Sequence, residues 1–222
     1  MARPTVADSK EAERLLMWAI AHSKYELVFG GPACTLELLA SNLVIPPGSG
    51  KSYGMYLATD ADFPPAVGMP EDAKTICATV IMWGGAGLDV NASRAHTIVL
   101  DTAAAETIGL SRGIVSLIPL QGLAQELGVP FDGTPLPAFC DNESTTAFAL
   151  NATSIKRAAY ILRRIWFVRQ AIEAGYVNVI HLSGSNMVAD VLTKYLHGPI
   201  FWKHMIILMG GLPPDMKTPP EA

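Results

Sequence analysis

Apolar residues fall in two rhythms along this chain. Short runs dense in β-branched and aromatic side chains occupy residues 53–58, 76–83, 96–100, 136–140 and 177–182. Runs of that length, bounded by Gly, Pro, Asn and Asp, predict five strands. After the third, the spacing becomes helical from Thr102 to Leu127, with Pro119 expected to split it into two helices and Gly128-Val-Pro to end it. Helical spacing returns at 144–150, over a long stretch 157–174 closed by Gly175, and at 187–195. Upstream, residues 10–22 predict a short amphipathic helix and Leu27 to Phe29 a strand, before the breaker Pro46-Pro-Gly-Ser-Gly50. Three successive strands on short connections are expected antiparallel, whereas strands reached through helices return parallel. The expected class is mixed α/β, a five-stranded mixed sheet with helices on both faces.

Composition sets bounds on this picture. At 222 residues, half of them hydrophobic, the chain can bury one sizeable core and is no disordered tail. A formal charge of -4 excludes a generally basic nucleic-acid coat but leaves room for a local basic face. Cys34, Cys77 and Cys140 are too few and too irregular for a disulfide framework or a structural zinc site. Reduced thiols in a cytoplasmic or nuclear protein are the simplest reading. The apolar stretch Leu15 to Ile20 is too short to span a bilayer, and no membrane partner is expected. The run Gly48-Ser-Gly-Lys-Ser52 imitates a phosphate loop, but Ile45 stands where its first Gly belongs and strand, not helix, follows.

Four acids are the candidate chemistry: Asp60, Glu106, Asp141 and Asp190. Taken singly, each has an ordinary role. Asp60 reads as a strand-end turn residue, with Asp62 an equal alternative. Asp141-Asn142 reads as a helix N-cap, Asp190 as a first-turn acid and Glu106 as a solvated helix residue. Together, four carboxylates at strand ends and helix starts make a cage for hard divalent cations. The long helix offers a second feature, with Ile161, Ile165, Val168 and Ile172 on one face. Lys156, Arg157, Arg163 and Arg164 gather opposite, with Tyr160 and Phe167 among them, either gripping phosphates or forming a solvated face. His181 reads as a structural histidine, and Trp83, Trp166 and Trp202 as core.

The order of these motifs resembles the ribonuclease H domain of copia-type LTR retrotransposon Pol polyproteins. Thr59-Asp-Ala-Asp-Phe63, Ala103-Ala-Ala-Glu-Thr107, Phe139-Cys-Asp-Asn142 and Ala189-Asp-Val-Leu-Thr-Lys194 stand where that family carries its acidic motifs. The likeness covers roughly residues 53–210, and the last two motifs are its most specific. It implies a ribonuclease H-like fold and cleavage of the RNA strand of RNA–DNA hybrids by two Mg²⁺ ions, or Mn²⁺. It further implies that Asp60 bridges both ions, with Glu106 and Asp141 on one and Asp190 on the other. Asn142, Lys156, Arg157, Arg163 and Arg164 would touch nucleic acid, and a reverse transcriptase domain would be a partner. Residues 1–50 correspond to the connection from that polymerase, 51–198 to the nuclease domain and 199–222 to a C-terminal helix and Pro-rich tail. No Tyr-x-Asp-Asp polymerase motif occurs in these residues, so a C-terminal polyprotein fragment is expected. The family's paired histidines are absent and its Lys-Ser-Thr-Ser-Gly stretch is only faintly kept as Lys74-Thr-Ile-Cys-Ala78, which leaves a catalytically inactive or co-opted binding module as the alternative.

Overall fold

Two glycines organise the first half of the sheet. Gly84 and Gly85 take φ of 58° and 86°, the sign a two-residue hairpin turn requires, and set Trp83 against Ala86. From this turn β2 (Ile76–Trp83) and β3 (Ala86–Arg94) run antiparallel. On the other side of β2, β1 (Tyr56–Ala61) is antiparallel as well. β4 (Leu136–Cys140) returns parallel to β1, and β5 (Val177–His181) parallel to β4. The computed structural model describes residues 17, 54–63, 73–129, 131, 133–150 and 156–211. Within them the sheet order is β3-β2-β1-β4-β5. This is the mixed five-stranded α/β architecture expected, with β1 central.

Pleating sends alternate side chains of β1 to opposite faces. Leu57 joins Ile81, Ala138 and Val179 under α1 (Thr102–Glu126), α2 (Glu143–Ala149) and α3 (Leu162–Glu173), in a core that includes Leu110, Ile114, Leu117 and Val168. Tyr56 and Ala58 face the other way, packing with Val80, Phe139, Met187 and Val188 beneath α4 (Gly198–Met209). α1 approaches β1 closely because it has Gly113 there. A Cβ at that position would come within 2.6 Å of Leu57 Cδ1. By length and composition α1 could cross a membrane, but its apolar surface is mostly buried against the sheet.

Several boundaries differ from the sequence reading. β1 runs to Ala61, so Asp60 lies inside the strand, paired with Ala78. The third strand is Ala86–Arg94, not 96–100, because the glycine hairpin fixes it by register even where its residues are polar. Pro119 does not split α1. It sits exposed, while Leu117 and Ile114 anchor the helix to the core, and that packing offsets the missing hydrogen bond. The stretch expected as one helix from 157 begins as a 3₁₀ segment, Lys156–Ile161, before α3. The helix expected at 187–195 is a pair of 3₁₀ turns, Gly184–Asn186 and Val188–Leu192, with extended Met187 between them. Trp166 is exposed, not core, whereas Phe167 is partly buried against the core. The strand at 27–29, the glycine-lysine run at 48–52 and Cys34 lie outside the described residues. So does the helix at 10–22 except for helical, exposed Met17.

Candidate metal centre

β1 and β4 are parallel neighbours, and Thr59 pairs with Cys140. Asp60 follows Thr59 within β1 and Asp141 follows Cys140 just past the end of β4, so the two are neighbours near the carboxyl ends of these strands. Open α/β sheets place their ligand sites at this end, where the chain order reverses. Glu106 arrives from the helical face. Asp101 caps α1, its Oδ1 accepting from Ala104 N at 2.8 Å, and the small buried residues Ala103 to Ala105 bring the first turns down onto the sheet. Glu106 Oε1 then accepts a hydrogen bond from Ala61 N at 3.0 Å. Asp190 comes from the opposite face, in the 3₁₀ turn Val188–Leu192.

The four acids fall into two overlapping groups. Asp60, Asp141 and Asp190 each offer an oxygen within 4.8 Å of the others'. Glu106, Cys140 and Asp141 do the same. Asp141 is thus common to both, whereas the resemblance gave the bridging role to Asp60. Cys140 is no match for a hard cation, since burial first and the Glu106 charge next hold its thiol protonated.

Crowding acids in a buried setting raises their pKa values. Glu106 is pushed up to about 9, chiefly by burial and then by the charges of Asp60 and Asp141. Asp190 rises to about 6, again mainly by burial, although its hydrogen bond to Lys194 works against the rise.

Lys194 is the residue of the acid cluster that sequence reasoning passed over. Its Nζ lies 2.8 Å from Asp190 Oδ1, 3.1 Å from Asp60 Oδ1 and 3.5 Å from Asp141 Oδ2. Burial alone would lower its pKa, but the hydrogen bond to Asp190 and the Asp60 charge override this and raise it. Next to it, Thr193 Oγ1 donates to Asp60 Oδ2. Both residues stood in the quoted run Ala189 to Lys194, and the only available signal was the four-residue spacing of Asp190 and Lys194, an ordinary helical ion pair.

Do these residues fit a divalent ion? The donors are carboxylate oxygens, the ligands that Mg²⁺ and Mn²⁺ prefer. The Lys194 ammonium shows that a cation is held among three of them at once. The fit is good.

Other candidates sort differently. Asp62 turns away to the β1–β2 connection, where its Oδ1 accepts from Ile76 N at 2.5 Å. Asn142 caps α2, accepting from Thr145 N at 2.9 Å. His181 is exposed and its Nε2 lies 3.0 Å from Asp141 O, a structural contact at the rim of the centre. Ile161, Ile165 and Val168 are buried, as expected of one face of the 156–173 segment. Arg163 and Arg164 line a groove of about 930 Å³ with Ile98, Tyr160 and Phe167, apart from the acids. Arg164 Nη1 donates there to Ser111 Oγ at 2.9 Å. The side chains of Lys156 and Arg157 lie outside the described residues.

The chain is 24% identical over 147 residues to the "Retrovirus-related Pol polyprotein from transposon RE2" of Arabidopsis thaliana, which covers 66% of the chain. It is 23% identical over 152 residues, or 68% of the chain, to the corresponding polyprotein from transposon RE1. The chain spans about a tenth of the length of these curated relatives. No family model matches it. Among solved structures it is similar to the N-terminal RNase H domain of a Mycobacterium tuberculosis protein, fused to maltose-binding protein. That likeness has a TM-score of 0.48 and 12% identity over 68% of this chain and 95% of that one. A second is LC11-RNase H1 in complex with an RNA/DNA hybrid, with a TM-score of 0.46 and 16% identity over 62% of this chain and 92% of that one.

Proposed function

We propose that this Pol-related chain is a metal-dependent endoribonuclease that cuts the RNA strand of RNA–DNA hybrids. One observation carries the reading. Asp60, Glu106, Asp141 and Asp190, spread over 130 positions of sequence, converge at the carboxyl ends of β1 and β4 from three sides of the sheet. A core with no use for charge has no reason to gather them, because burying like charges together is costly.

In this reading Asp60, Asp141 and Asp190 hold one Mg²⁺ or Mn²⁺ and Glu106 with Asp141 a second. Bound there, the ions supply an activated water and stabilise the leaving oxygen of the scissile phosphodiester. The protein's own part is positional. Thr193 fixes the Asp60 carboxylate, the Ala61 amide fixes Glu106, and the parallel pairing of β1 with β4 sets the spacing of Asp60 and Asp141. Arg163 and Arg164 are the side chains proposed to meet the phosphate backbone, joined by Lys156, Arg157 and Asn142. The reverse transcriptase region of the same polyprotein is the proposed partner. The buried free thiols of Cys77 and Cys140 suit a reducing compartment, cytoplasmic or nuclear.

The second reading, a non-catalytic binding module, is favoured by the hydrogen bonds that Thr193 and Lys194 already make to both oxygens of Asp60. Cleavage of a labelled RNA–DNA hybrid in Mg²⁺ separates the two. The enzyme cuts the RNA strand, and EDTA or Asp60→Asn abolishes cutting while the circular dichroism spectrum is kept. Full activity in folded Asp60→Asn rejects the assignment of Asp60, and no cutting by folded wild type supports the module.

A further inference from the structure

The acid cluster is not empty of cations: it holds one of the chain's own. Lys194 Nζ reaches oxygens of Asp60, Asp141 and Asp190 together, the same three acids whose oxygens come within 4.8 Å of one another. With Thr193 on Asp60 Oδ2, both oxygens of that carboxylate are already accepting hydrogen bonds. Lys194 engages one oxygen on each of the three acids, so a divalent ion placed among the same acids would lie beside its ammonium, and two cations at one spot repel. The lysine also has a way out. Its side chain is 40% exposed, against 1% for Asp60. It sits on a flexible four-carbon stem just beyond the 3₁₀ turn, with its own backbone N–H bonded to Asp190 O at 2.8 Å. The backbone anchor can therefore stay while the ammonium swings to solvent.

We propose that Lys194 is an exchangeable internal cation, which neutralises the acid cluster without metal and must be expelled for a divalent ion to bind. The inference rests on the reading of these carboxylates as a metal centre. It gives Lys194 the part of a positioning residue that sets metal affinity, not of a catalyst. Such a device keeps the acids from forcing the site apart when divalent ions are scarce, at the expense of tight binding.

The test is calorimetric titration of Mn²⁺ into the whole chain, comparing wild type with Lys194→Gln and Lys194→Arg. Lys194→Gln is expected to bind Mn²⁺ about ten- to a hundredfold more tightly, the equivalent of one charge-assisted hydrogen bond no longer to be broken. Lys194→Arg keeps the charge and is expected to bind no more tightly than wild type. A measurement on wild type alone guards against a variant that does not fold. Reductive methylation followed by mass spectrometry should label Lys194 slowly in EDTA and faster once Mn²⁺ has expelled it. Equal or weaker Mn²⁺ affinity in Lys194→Gln, or labelling of Lys194 that Mn²⁺ leaves unchanged, overturns the inference while leaving the metal centre standing. Failure of both wild type and Lys194→Gln to bind Mn²⁺ rejects the metal centre itself, and the inference with it.

Discussion

Glu106 should be a burden on the metal-free fold. It is almost wholly buried, and burial together with the charges of Asp60 and Asp141 lifts its pKa from 4.5 to about 9. Between those values the unfolded chain releases a proton that the folded chain keeps. Stability from this group is therefore whole below pH 4.5 and falls steadily as the pH rises toward 9. From pH 4.5 to pH 7 is two and a half units, at about 1.36 kcal/mol each, or about 3 kcal/mol. Glu106→Gln keeps the shape and cannot ionise, so in EDTA at pH 7 it is expected to be more stable than wild type by about that much. For a domain of this size the gain is worth roughly 6–12 °C in Tm. The assay is urea or thermal unfolding of both proteins from pH 4.5 to pH 8. Their stabilities should coincide at the acid end and diverge with rising pH. Saturating Mn²⁺ should narrow or reverse the gap, since a bound cation favours the ionised acid. Parallel pH profiles of the two proteins in EDTA would refute the reasoning, because they would mean that Glu106 ionises as freely in the fold as out of it.

Two further perturbations separate structure from chemistry. Asp62→Ala removes the acceptor for Ile76 N and is expected to cost about 1–2 kcal/mol in urea unfolding, while hybrid cleavage persists, in contrast to Asp60→Asn. Gly113→Ala drives a methyl into Leu57 Cδ1 and, at 3.1 Å, Thr59 Cγ2. Overpacking of this kind costs about 1–3 kcal/mol, so a lowered urea midpoint is expected despite the better helix propensity of alanine.

Much of this was legible in the residues. β2, β4 and β5 are apolar runs between breakers, and their pattern marks them wherever they pack. β3 escaped because an edge strand carrying Asp89, Asn91, Ser93 and Arg94 has no apolar run to notice, and only the glycine hairpin that fixes its register gives it away. The continuity of α1 through Pro119 was hidden for a related reason, since tertiary packing of Ile114 and Leu117 outweighs a local rule. The acids could be named through the order of their motifs, whereas the overlap of their groups on Asp141 is a matter of strand register. Lys194 resembled a surface partner of Asp190. Its hold on Asp60 exists only in three dimensions.

The contacts that hold the centre together also say when it can exist. Ala61 meets Glu106 across 45 positions, Lys194 meets Asp141 across 53, and Lys194 meets Asp60 across 134. Such long loops close late, because their entropy must be spent before the contact is made. A nascent or half-folded chain consequently has its acids scattered on separate pieces of backbone. Under the proposed reading, competence to cut a hybrid and completion of folding arrive in the same step, so that a chain still being assembled leaves hybrids intact.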